Sequence, residues 1–469
     1  MKKTKIICSI GPASCSYDVM SKMVEAGMNV ARINFSHATI EERDNVIKVV
    51  KEIREKDKKF VGILFDTKGP EFRNGMLENG EINLVDGKTI RIVKEEVLGT
   101  EERFSVNHPS AINSISVGDI ILLENDLMRL ECTSVEEDGI TCTVVNGGIL
   151  GNKKSMSVPG VRLDIPFVSE EDYNDLVYAC ENGGEYLALS FVSCAEDVLE
   201  VKEILKKYNR EDLKIIAKIE SVAGIENVES ILNVCDGVMV ARGDLGVEVP
   251  VQELPFHQQY LVKACKKNGK LAIVATEMLE SMKKNARPTR AEVSDIAYAV
   301  SCGTDAVMLS GETTVGKYPV ETVTYMAQIC EQNEMYLDYD KAVDYDYHQI
   351  IPNTLAQSVK VASDTCEANL IVAATLSGYT ARKISNRRPK ALIMAATPDA
   401  NIAYGLSLYF GVYPTIVGVA DSNDELLSMC REKAISEYNL QNGDNIVITG
   451  GIKIGNKVSP TNFMTIAQI

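Results

Sequence analysis

Eight short apolar runs recur along the chain, and each is followed by a segment in which apolar residues return with helical period. Continuous runs of Val, Ile, Leu and Ala, rather than alternating ones, are typical of strands buried on both faces. The runs are Thr4–Gly11, Val30–Ser36, Val61–Thr67, Tyr186–Val192, Lys214–Glu220, Gly237–Leu245, Leu271–Met278 and Ala306–Glu312. Capping-box patterns that predict helix starts occur at Thr39-x-x-Glu42, Ser169-x-x-Asp172 and Ser193-x-x-Glu196. Eight strand–helix units favour a closed parallel barrel over an open sheet, although the count alone does not settle closure.

A long stretch of different texture separates the third run from its helix. Short apolar pieces there are punctuated by the turn dipeptides Asn79-Gly80, Asp86-Gly87, Gly118-Asp119, Asp138-Gly139 and Asn146-Gly147. These turns predict an inserted all-β domain, a small β-barrel. Because it would emerge from the carboxyl end of a barrel strand, where barrel enzymes hold their active sites, we expect it to act as a lid.

A second α/β pattern follows Pro352, beyond an acidic, Tyr-rich connector at Tyr336–Tyr347. Its predicted strands are Leu370–Thr375, Ala391–Thr397, Val412–Val419, Asn445–Gly450 and a last strand near Phe463–Ile469. The predicted fold class is therefore α/β: a (β/α)8 TIM barrel, an inserted β-domain and a C-terminal α/β domain. The expected boundaries are residues 1–69 and 164–338 for the barrel, 70–163 for the lid and 339–469 for a C-terminal regulatory domain.

Composition narrows the class of protein. The chain has 469 residues, 45% hydrophobic and 25% charged, which indicates several folded domains. Its formal net charge of −17 argues against a nucleic-acid partner. No apolar run is long enough to span a bilayer and no secretion signal precedes the first strand, so we expect no membrane partner and a cytoplasmic location. The 12 cysteines form no C-x-x-C pair and are expected to be reduced, and the four scattered histidines disfavour a His-based zinc site.

Six of the eight predicted barrel strands end in polar residues, at the end where barrel enzymes place their reacting groups. The motifs are Arg32-x-Asn34-x-Ser36, Asp66-Thr67-Lys68, Lys218-x-Glu220, Arg242-Gly243-Asp244, Thr276-Glu277 and Ser310-Gly311-Glu312. Each motif alone is more often a cap or a salt bridge than a catalytic group. Their joint occurrence at one rim favours an active site.

The residue types at this rim point to a reaction class. Glu220 and Asp244 offer only oxygen ligands, which suit a hard divalent cation such as Mg²⁺, with Mn²⁺ as an alternative. A second oxygen set suits a monovalent cation and consists of Asn34, Ser36, Asp66 and Thr67. Arg32, Arg73 and Lys218 supply positive charge for phosphate oxygens. These groups, without an obvious nucleophile, predict phosphoryl transfer. The near match to a phosphate loop at 311–318 is rejected, because Tyr318 replaces the hydroxyl residue.

Several longer stretches resemble the pyruvate kinase family, and the resemblance runs along the whole chain. They are Thr4–Ser14, Asp66–Glu71, Met239–Gly246, Ala275–Met282 and Arg287–Asp295. The resemblance implies the same three-domain organisation, a homotetramer, and conversion of phosphoenolpyruvate and ADP into pyruvate and ATP, the final step of glycolysis. It also implies dependence on Mg²⁺ and K⁺ and control by a phosphorylated effector.

The resemblance further implies roles for individual residues. By it, Glu220 and Asp244 match Mg²⁺ ligands, and the four-residue oxygen set matches a K⁺ site. Catalytic residues are implied at Lys218, Arg32, Arg73 and Thr276, and substrate contacts at Lys218, Gly243, Asp244 and Thr276. Nucleotide contacts are implied at Pro12, Arg32, Asn34, His37, Arg73 and Lys154. An effector phosphate loop is implied at Thr375, Ser377, Gly378 and Thr380.

Three positions refine this expectation. Glu71 is an acid, as in members of the family that depend on K⁺, whereas K⁺-independent members carry lysine there. Glu277 and Tyr298 stand where many members have glutamine and asparagine.

Two other functions remain open. A metal-dependent barrel lyase or aldolase acting on a 2-oxo acid would also use the carboxylates. A non-catalytic metabolite sensor could be built on the same fold.

Overall fold

The computed structural model describes residues 1–339, 350–451, 453–454, 457–458 and 461–469. The chain begins with three parallel strands and two helices: β1 (Lys5–Ser9), α1 (Tyr17–Ala26), β2 (Val30–Asn34), α2 (Ile40–Lys56) and β3 (Gly62–Asp66). Strand β2 pairs with β1 on one side and with β3 on the other. Helix α2 starts at the predicted capping box, where Thr39 N–H donates to Glu42 Oε2 (2.8 Å) and Glu42 N–H donates to Thr39 Oγ1 (3.3 Å).

The insertion that follows β3 is built from short strands that pair antiparallel, except that β5 and β6 pair in parallel. They are β4 (Glu81–Leu84), β5 (Thr89–Val93), β6 (Arg103–Ser105), β7 (Ile120–Leu123), β8 (Met128–Glu136), β9 (Gly139–Asn146), β10 (Gly148–Gly151) and β11 (Met156–Ser157), with 3-10 turns at Glu78–Gly80 and Pro109–Ser114. They form a six-stranded sheet, ordered β11-β7-β8-β9-β5-β6, and a two-stranded sheet of β10 and β4. Burial alternates along β8, which indicates one face on a core of its own that includes Ile92, Phe104 and Leu130.

The remaining five barrel strands follow the insertion. They are β12 (Tyr186–Leu189), β13 (Lys214–Ile219), β14 (Gly237–Ala241), β15 (Leu271–Ala275) and β16 (Ala306–Leu309). The helices between and after them are α3 (Glu170–Asn182), α4 (Ala195–Lys207), α5 (Val222–Glu226), α6 (Val228–Val234), α7 (Arg242–Glu248), α8 (Leu254–Asn268), α9 (Arg290–Cys302), α10 (Gly311–Thr314) and α11 (Pro319–Glu334), with 3-10 turns at Val251–Glu253 and Glu280–Lys283. Strand β12 pairs directly with β3, although the insertion separates them in the sequence. Strand β16 pairs with β1. The predicted closed parallel barrel is confirmed.

The apolar runs mark the starts of the barrel strands better than their ends. Strand β14 ends at Ala241 and α7 begins at the next residue, whereas the run continues to Leu245. One capping box was also predicted wrongly. Asp197, not Glu196, accepts hydrogen bonds from the backbone N–H groups of Ser193 (2.8 Å) and Cys194 (3.0 Å), because α4 begins one residue later than the pattern suggested.

The C-terminal part is a second α/β unit, as predicted. Its elements are α12 (Ile350–Thr365), β17 (Leu370–Ala374), α13 (Tyr379–Asn386), β18 (Leu392–Thr397), α14 (Ala400–Tyr404), β19 (Val412–Ile416), α15 (Asn423–Tyr438), β20 (Asn445–Gly450), β21 (Lys453–Ile454), β22 (Lys457–Val458) and β23 (Phe463–Gln468). The main sheet has the order β19-β18-β17-β20-β23, and only β23 runs antiparallel to its neighbour. Most of the predicted connector, residues 340–347, lies outside the described residues.

This C-terminal unit covers the floor of the barrel. The Tyr186 hydroxyl donates to the carbonyl of Gly405 (2.9 Å), and the ammonium of Lys5 donates to the carbonyl of Val412 (2.6 Å). The apolar residues inside the barrel are continuous with one face of the C-terminal sheet. The carboxyl ends of the barrel strands therefore form the open rim, on the side from which the insertion emerges. Among the described residues, no helix has the length and apolar character needed to cross a membrane.

Candidate active site

A buried group of alternating charges lies at the carboxyl ends of β2, β3 and β13. The guanidinium of Arg32 contacts Asp66 Oδ2 (2.6 Å), and the ammonium of Lys218 contacts Asp66 Oδ1 (3.2 Å) and Glu220 Oε1 (3.0 Å). These four side chains are at most 11% exposed. Such a group is stable only because each charge meets an opposite one within hydrogen-bonding distance.

The charges of Asp66 and Lys218 support each other. Burial alone would disfavour both ions. Arg32 and Lys218 outweigh burial at Asp66, so the pKa of that carboxyl is lowered. The carboxylates of Asp66 and Glu220 outweigh burial at Lys218, so the pKa of that ammonium is raised. The Lys218 side chain is therefore positively charged at neutral pH, near the carboxyl end of β13.

Glu220 has the character of a cation ligand. Its Oε2 accepts the backbone N–H of Phe191 (2.6 Å). Burial raises the pKa of Glu220, the Lys218 cation opposes this shift, and the Asp244 carboxylate adds to it. A buried carboxylate that is costly to ionise beside a second carboxylate is a fitting place for a divalent cation, which takes the position of the proton.

The predicted divalent-cation site contains few carboxylates. Over the described ranges, no cluster of three or more His, Cys, Asp and Glu residues is assembled for a metal ion. Glu220 and Asp244 are only two ligands. Two carboxylates fit Mg²⁺, which commonly completes its shell with water and substrate phosphate rather than with a cage of side chains.

The predicted monovalent-cation set lies where β2 and β3 end side by side. Asn34 and Asp66 are register partners, and Asn34 Oδ1 accepts the N–H of Ser36 (3.1 Å). The Thr67 carbonyl accepts the hydroxyl of Ser190 (2.7 Å). The set offers carboxylate, amide, hydroxyl and carbonyl oxygens, which are the donors that a hard cation prefers.

Thr276 and Gly243 meet through the pairing of β14 with β15, in which Ala241 faces Ala275. The N–H of Gly243 donates to Thr276 Oγ1 (2.8 Å), and this hydroxyl donates to the carbonyl of Ala275 (2.6 Å). Thr276 has φ 71° and Glu277 has φ 53°. A left-handed β-branched residue is strained, and such strain is concentrated at functional sites. Glu277 itself is exposed.

Arg73 and Lys154 approach the rim from the insertion. They line a cavity of about 510 Å³ between the insertion and the barrel, together with Glu220 and Asp244. Arg73 Nε contacts Glu71 Oε2 (2.8 Å), and Lys154 Nζ contacts Glu124 Oε1 (2.5 Å). Both cations are thus paired within the insertion, at partly exposed positions where a phosphate can compete for them.

Three comparisons place this geometry in a family. Residues 1–323 match the family model described as the pyruvate kinase barrel domain, and residues 353–467 match that of the pyruvate kinase alpha/beta domain. The pyruvate kinase of Bacillus licheniformis is 45% identical over 99% of this chain and 80% of its own length. That of Geobacillus stearothermophilus is 43% identical over 100% of this chain and 80% of its own length. The crystal structure of a pyruvate kinase from Cryptosporidium parvum superimposes with a TM-score of 0.95 at 34% identity, covering 100% of this chain and 96% of that one.

The chain belongs to the pyruvate kinase family. The predicted family, fold class and phosphotransferase function are confirmed by these matches. The roles assigned to individual residues stay predictions.

The predicted nucleotide contacts lie in three places in the structure. Arg73 and Lys154 lie together at the cavity. Arg32 and Asn34 lie at the end of β2, whereas Pro12 and His37 are exposed on the loops that follow β1 and β2. A nucleotide that used all of them would have to bridge the rim and the insertion.

The predicted effector loop connects β17 with α13. Ser377 is exposed, and Gly378 has φ 76°, a left-handed conformation that glycine adopts without strain. Thr375 is buried, and Thr380 Oγ1 lies 2.6 Å from Thr461 Oγ1. Ser377 is therefore the predicted hydroxyl that faces solvent most directly.

Two residues of the predicted strand-end motifs, Arg242 and Glu312, stabilise the scaffold. Arg242 pairs with Asp295 (2.6 Å) and donates to the Thr276 carbonyl (2.6 Å). Glu312 is buried and accepts the backbone N–H groups of Leu279 (3.0 Å) and Ser310 (2.7 Å). Both hold the loops after the last strands of the barrel rather than facing the cavity.

Sequence reasoning missed several residues that contact the site. Ser9 Oγ accepts from Arg32 (2.7 Å), and Ser190 Oγ accepts from Lys218 (2.6 Å). Glu248 lines the cavity together with Gly160 and Ser157 of the insertion. Ser9 and Ser190 carry no charge, so they were not recognised as candidate site residues. The one signal in the sequence was that each is a polar residue inside an apolar run.

Proposed function

We propose that this chain transfers the phosphoryl group of phosphoenolpyruvate to ADP and releases pyruvate and ATP. The observation that carries the proposal is the buried charge group of Arg32, Asp66, Lys218 and Glu220 at the open rim. Phosphoryl transfer needs charge stabilisation and positioning more than covalent chemistry. A fixed ammonium and guanidinium at a site shielded from water supply both.

The proposed roles follow from position. Lys218 holds its ammonium where the phosphoryl group passes, and Arg32 and Arg73 bind phosphate oxygens from the barrel and the insertion. The bond between phosphorus and the enol oxygen breaks as a bond to a β-phosphate oxygen of ADP forms. The enolate left behind takes a proton at its methylene carbon and becomes pyruvate. Thr276 Oγ1 and the N–H groups of Gly243 and Asp244 bind the substrate carboxylate, which replaces Thr276 Oγ1 as the acceptor of the Gly243 N–H and the Ala275 carbonyl as the acceptor of the Thr276 hydroxyl.

Two cations complete the proposal. Glu220 and Asp244 would hold Mg²⁺, or Mn²⁺ in its place, and Asn34, Ser36, Asp66 and Thr67 would hold K⁺. When bound, these ions neutralise the negative charge that the phosphate ester and the nucleotide bring to an acidic protein. The all-oxygen donor sets at the rim support both assignments.

Other assignments are proposed on the family relationship. Pro12, Arg32, Asn34, His37, Arg73 and Lys154 would contact the nucleotide, and Thr375, Ser377, Gly378 and Thr380 the phosphate of an effector. We further propose a cytoplasmic homotetramer. The proposed domains are 1–69 with 164–338, 70–163 and 339–469.

The test is an assay in which pyruvate and ATP are measured separately in the same sample, with and without K⁺. We expect one ATP for each pyruvate, and no pyruvate without ADP. Pyruvate or another 2-oxo acid formed without ATP would favour the lyase or aldolase. Calorimetric binding of phosphoenolpyruvate without either product would favour a metabolite sensor.

A further inference from the structure

The turn that follows β12 lies against Lys218, near the end of β13, and against Glu220, the residue after β13. Ser190 is 3% exposed, and its hydroxyl has a defined orientation. Its single proton is donated to the Thr67 carbonyl (2.7 Å), and its oxygen accepts from the Lys218 ammonium (2.6 Å). A longer contact of 3.4 Å joins the same oxygen to Asp66 Oδ1. The Ser190 hydroxyl therefore connects the Lys218 ammonium to the backbone of Thr67, the residue after β3.

Ser190 supplies one of three partners of the ammonium. A lysine ammonium has three N–H donors, and the partners of Lys218 are Ser190 Oγ, Asp66 Oδ1 (3.2 Å) and Glu220 Oε1 (3.0 Å). The two carboxylates attract the ammonium by charge. The Ser190 hydroxyl is the neutral partner, and it is the shortest contact of the three.

The next residue fixes Glu220. Phe191 has φ 58°, a left-handed conformation that is uncommon outside glycine. This conformation aims its N–H at Glu220 Oε2 (2.6 Å), which leaves Oε1 turned toward Lys218. Gly69, where the insertion leaves the barrel, packs on the same turn, since a Cβ added there would come within 2.9 Å of Ser190 and 3.2 Å of Phe191.

We propose that Ser190 and Phe191 are positioning residues for phosphoryl transfer: the Ser190 hydroxyl sets the place of the Lys218 ammonium, and the Phe191 N–H sets the rotamer of Glu220. This inference rests on the proposed function. Without the hydroxyl, the ammonium keeps only its two carboxylate partners and is drawn toward them, away from the phosphate. Neither residue needs to touch a substrate.

The experiment is a double-mutant cycle between Ser190 and Lys218 in the full chain. We expect Ser190→Ala to lower kcat by about tenfold to a hundredfold, as loss of a positioned polar group does, with a smaller change in KM for phosphoenolpyruvate. In the Lys218→Met background, the same substitution should cause no further loss, because its effect acts through Lys218. Ser190→Thr, which keeps the hydroxyl, should restore most of the activity.

Controls separate this role from a general effect on folding. Ser363→Ala removes a buried serine hydroxyl from α12, far from the rim, and should leave kcat unchanged. If Ser190→Ala does not fold, Ser190→Cys retains an atom at the γ position and replaces the strong acceptor by a weak one, with the same expected loss. Equal losses from Ser190→Ala in both backgrounds would overturn the inference. Absence of ATP synthesis in the unsubstituted chain would instead overturn the proposed function.

Discussion

The ammonium of Lys218 lies 3.2 Å from the carboxylate of Asp66, although 152 positions, including the whole insertion, separate the two residues in the chain. The pairing of β3 with β12, and of β12 with β13, brings them to one rim. The insertion therefore interrupts the sequence of the barrel without interrupting its sheet. The distance follows from barrel closure, which makes the site depend on the fold of the whole barrel.

Loss of the Lys218 charge should remove most of the activity. We expect Lys218→Met to lower kcat by about 10²–10³-fold, the usual effect of removing one preorganised electrostatic group. Steady-state kinetics with saturating substrates and a circular-dichroism check of folding measure it. Lys202→Met, on the exposed face of α4, is the matched control and should leave kcat unchanged. Near-normal turnover of Lys218→Met would falsify its role.

Asp66 should matter for stability as well as for catalysis. In Asp66→Asn, the buried cations Arg32 and Lys218 lose their shared carboxylate, and breaking such a group costs about 3–5 kcal/mol. Calorimetry should show a clearly lower unfolding temperature. Asp126→Asn, which weakens the partly exposed pair with Arg129, should cost about 0–1 kcal/mol. Equal effects of the two substitutions would contradict a buried, charge-balanced group.

Glu248 should make stability depend on pH. Burial raises its pKa from 4.5 to about 7, and Asp244 adds to the shift. Between these values the folded chain binds more protons than the unfolded chain, so stability falls as pH rises through this range. Melting temperatures measured from pH 4.5 to about 7 should therefore decline less in Glu248→Gln than in the unsubstituted chain. The exposed Glu253→Gln is the control, and identical profiles for all three proteins would argue against this shift.

Glu71 should influence the requirement for K⁺. Its carboxylate pairs with Arg73 (2.8 Å) beside the cavity. Glu71→Lys places a fixed cation there, and we expect activity to persist at lower K⁺. Glu71→Gln, which removes charge without adding a cation, should not have this effect. Superimposable K⁺ titrations of Glu71→Lys and the unsubstituted chain would rule out the assignment.

The fold was largely predictable because its signals are local. Continuous apolar runs such as Lys214–Ile219 are unusual outside strands buried on both faces, and turn dipeptides such as Asp138-Gly139 revealed the insertion. The ends of elements were less predictable. Asp197 replaced Glu196 as the capping carboxylate, since neighbouring acids are equivalent in sequence and only the backbone selects between them.

The direction of each side chain at the rim was the part that sequence could not supply. Arg242 and Lys218 both lie near the carboxyl end of an apolar strand, yet Arg242 turns to Asp295 and Lys218 turns to Asp66. The loop after each strand decides between these outcomes. Ser190 and the left-handed Phe191 carry no charge and no motif, so their contacts became visible only when β12 was placed between β3 and β13.

The most direct test of the central claim follows the phosphoryl group itself. Phosphoenolpyruvate labelled with ¹⁸O at the non-bridging oxygens of its phosphoryl group is incubated with ADP and the chain, and the products are analysed by ³¹P NMR. We predict that the γ-phosphate of ATP carries all of the labelled oxygens, because the group passes to ADP without contact with water. Inorganic phosphate containing solvent oxygen, or labelled phosphoenolpyruvate left unchanged, would contradict phosphoryl transfer at this rim.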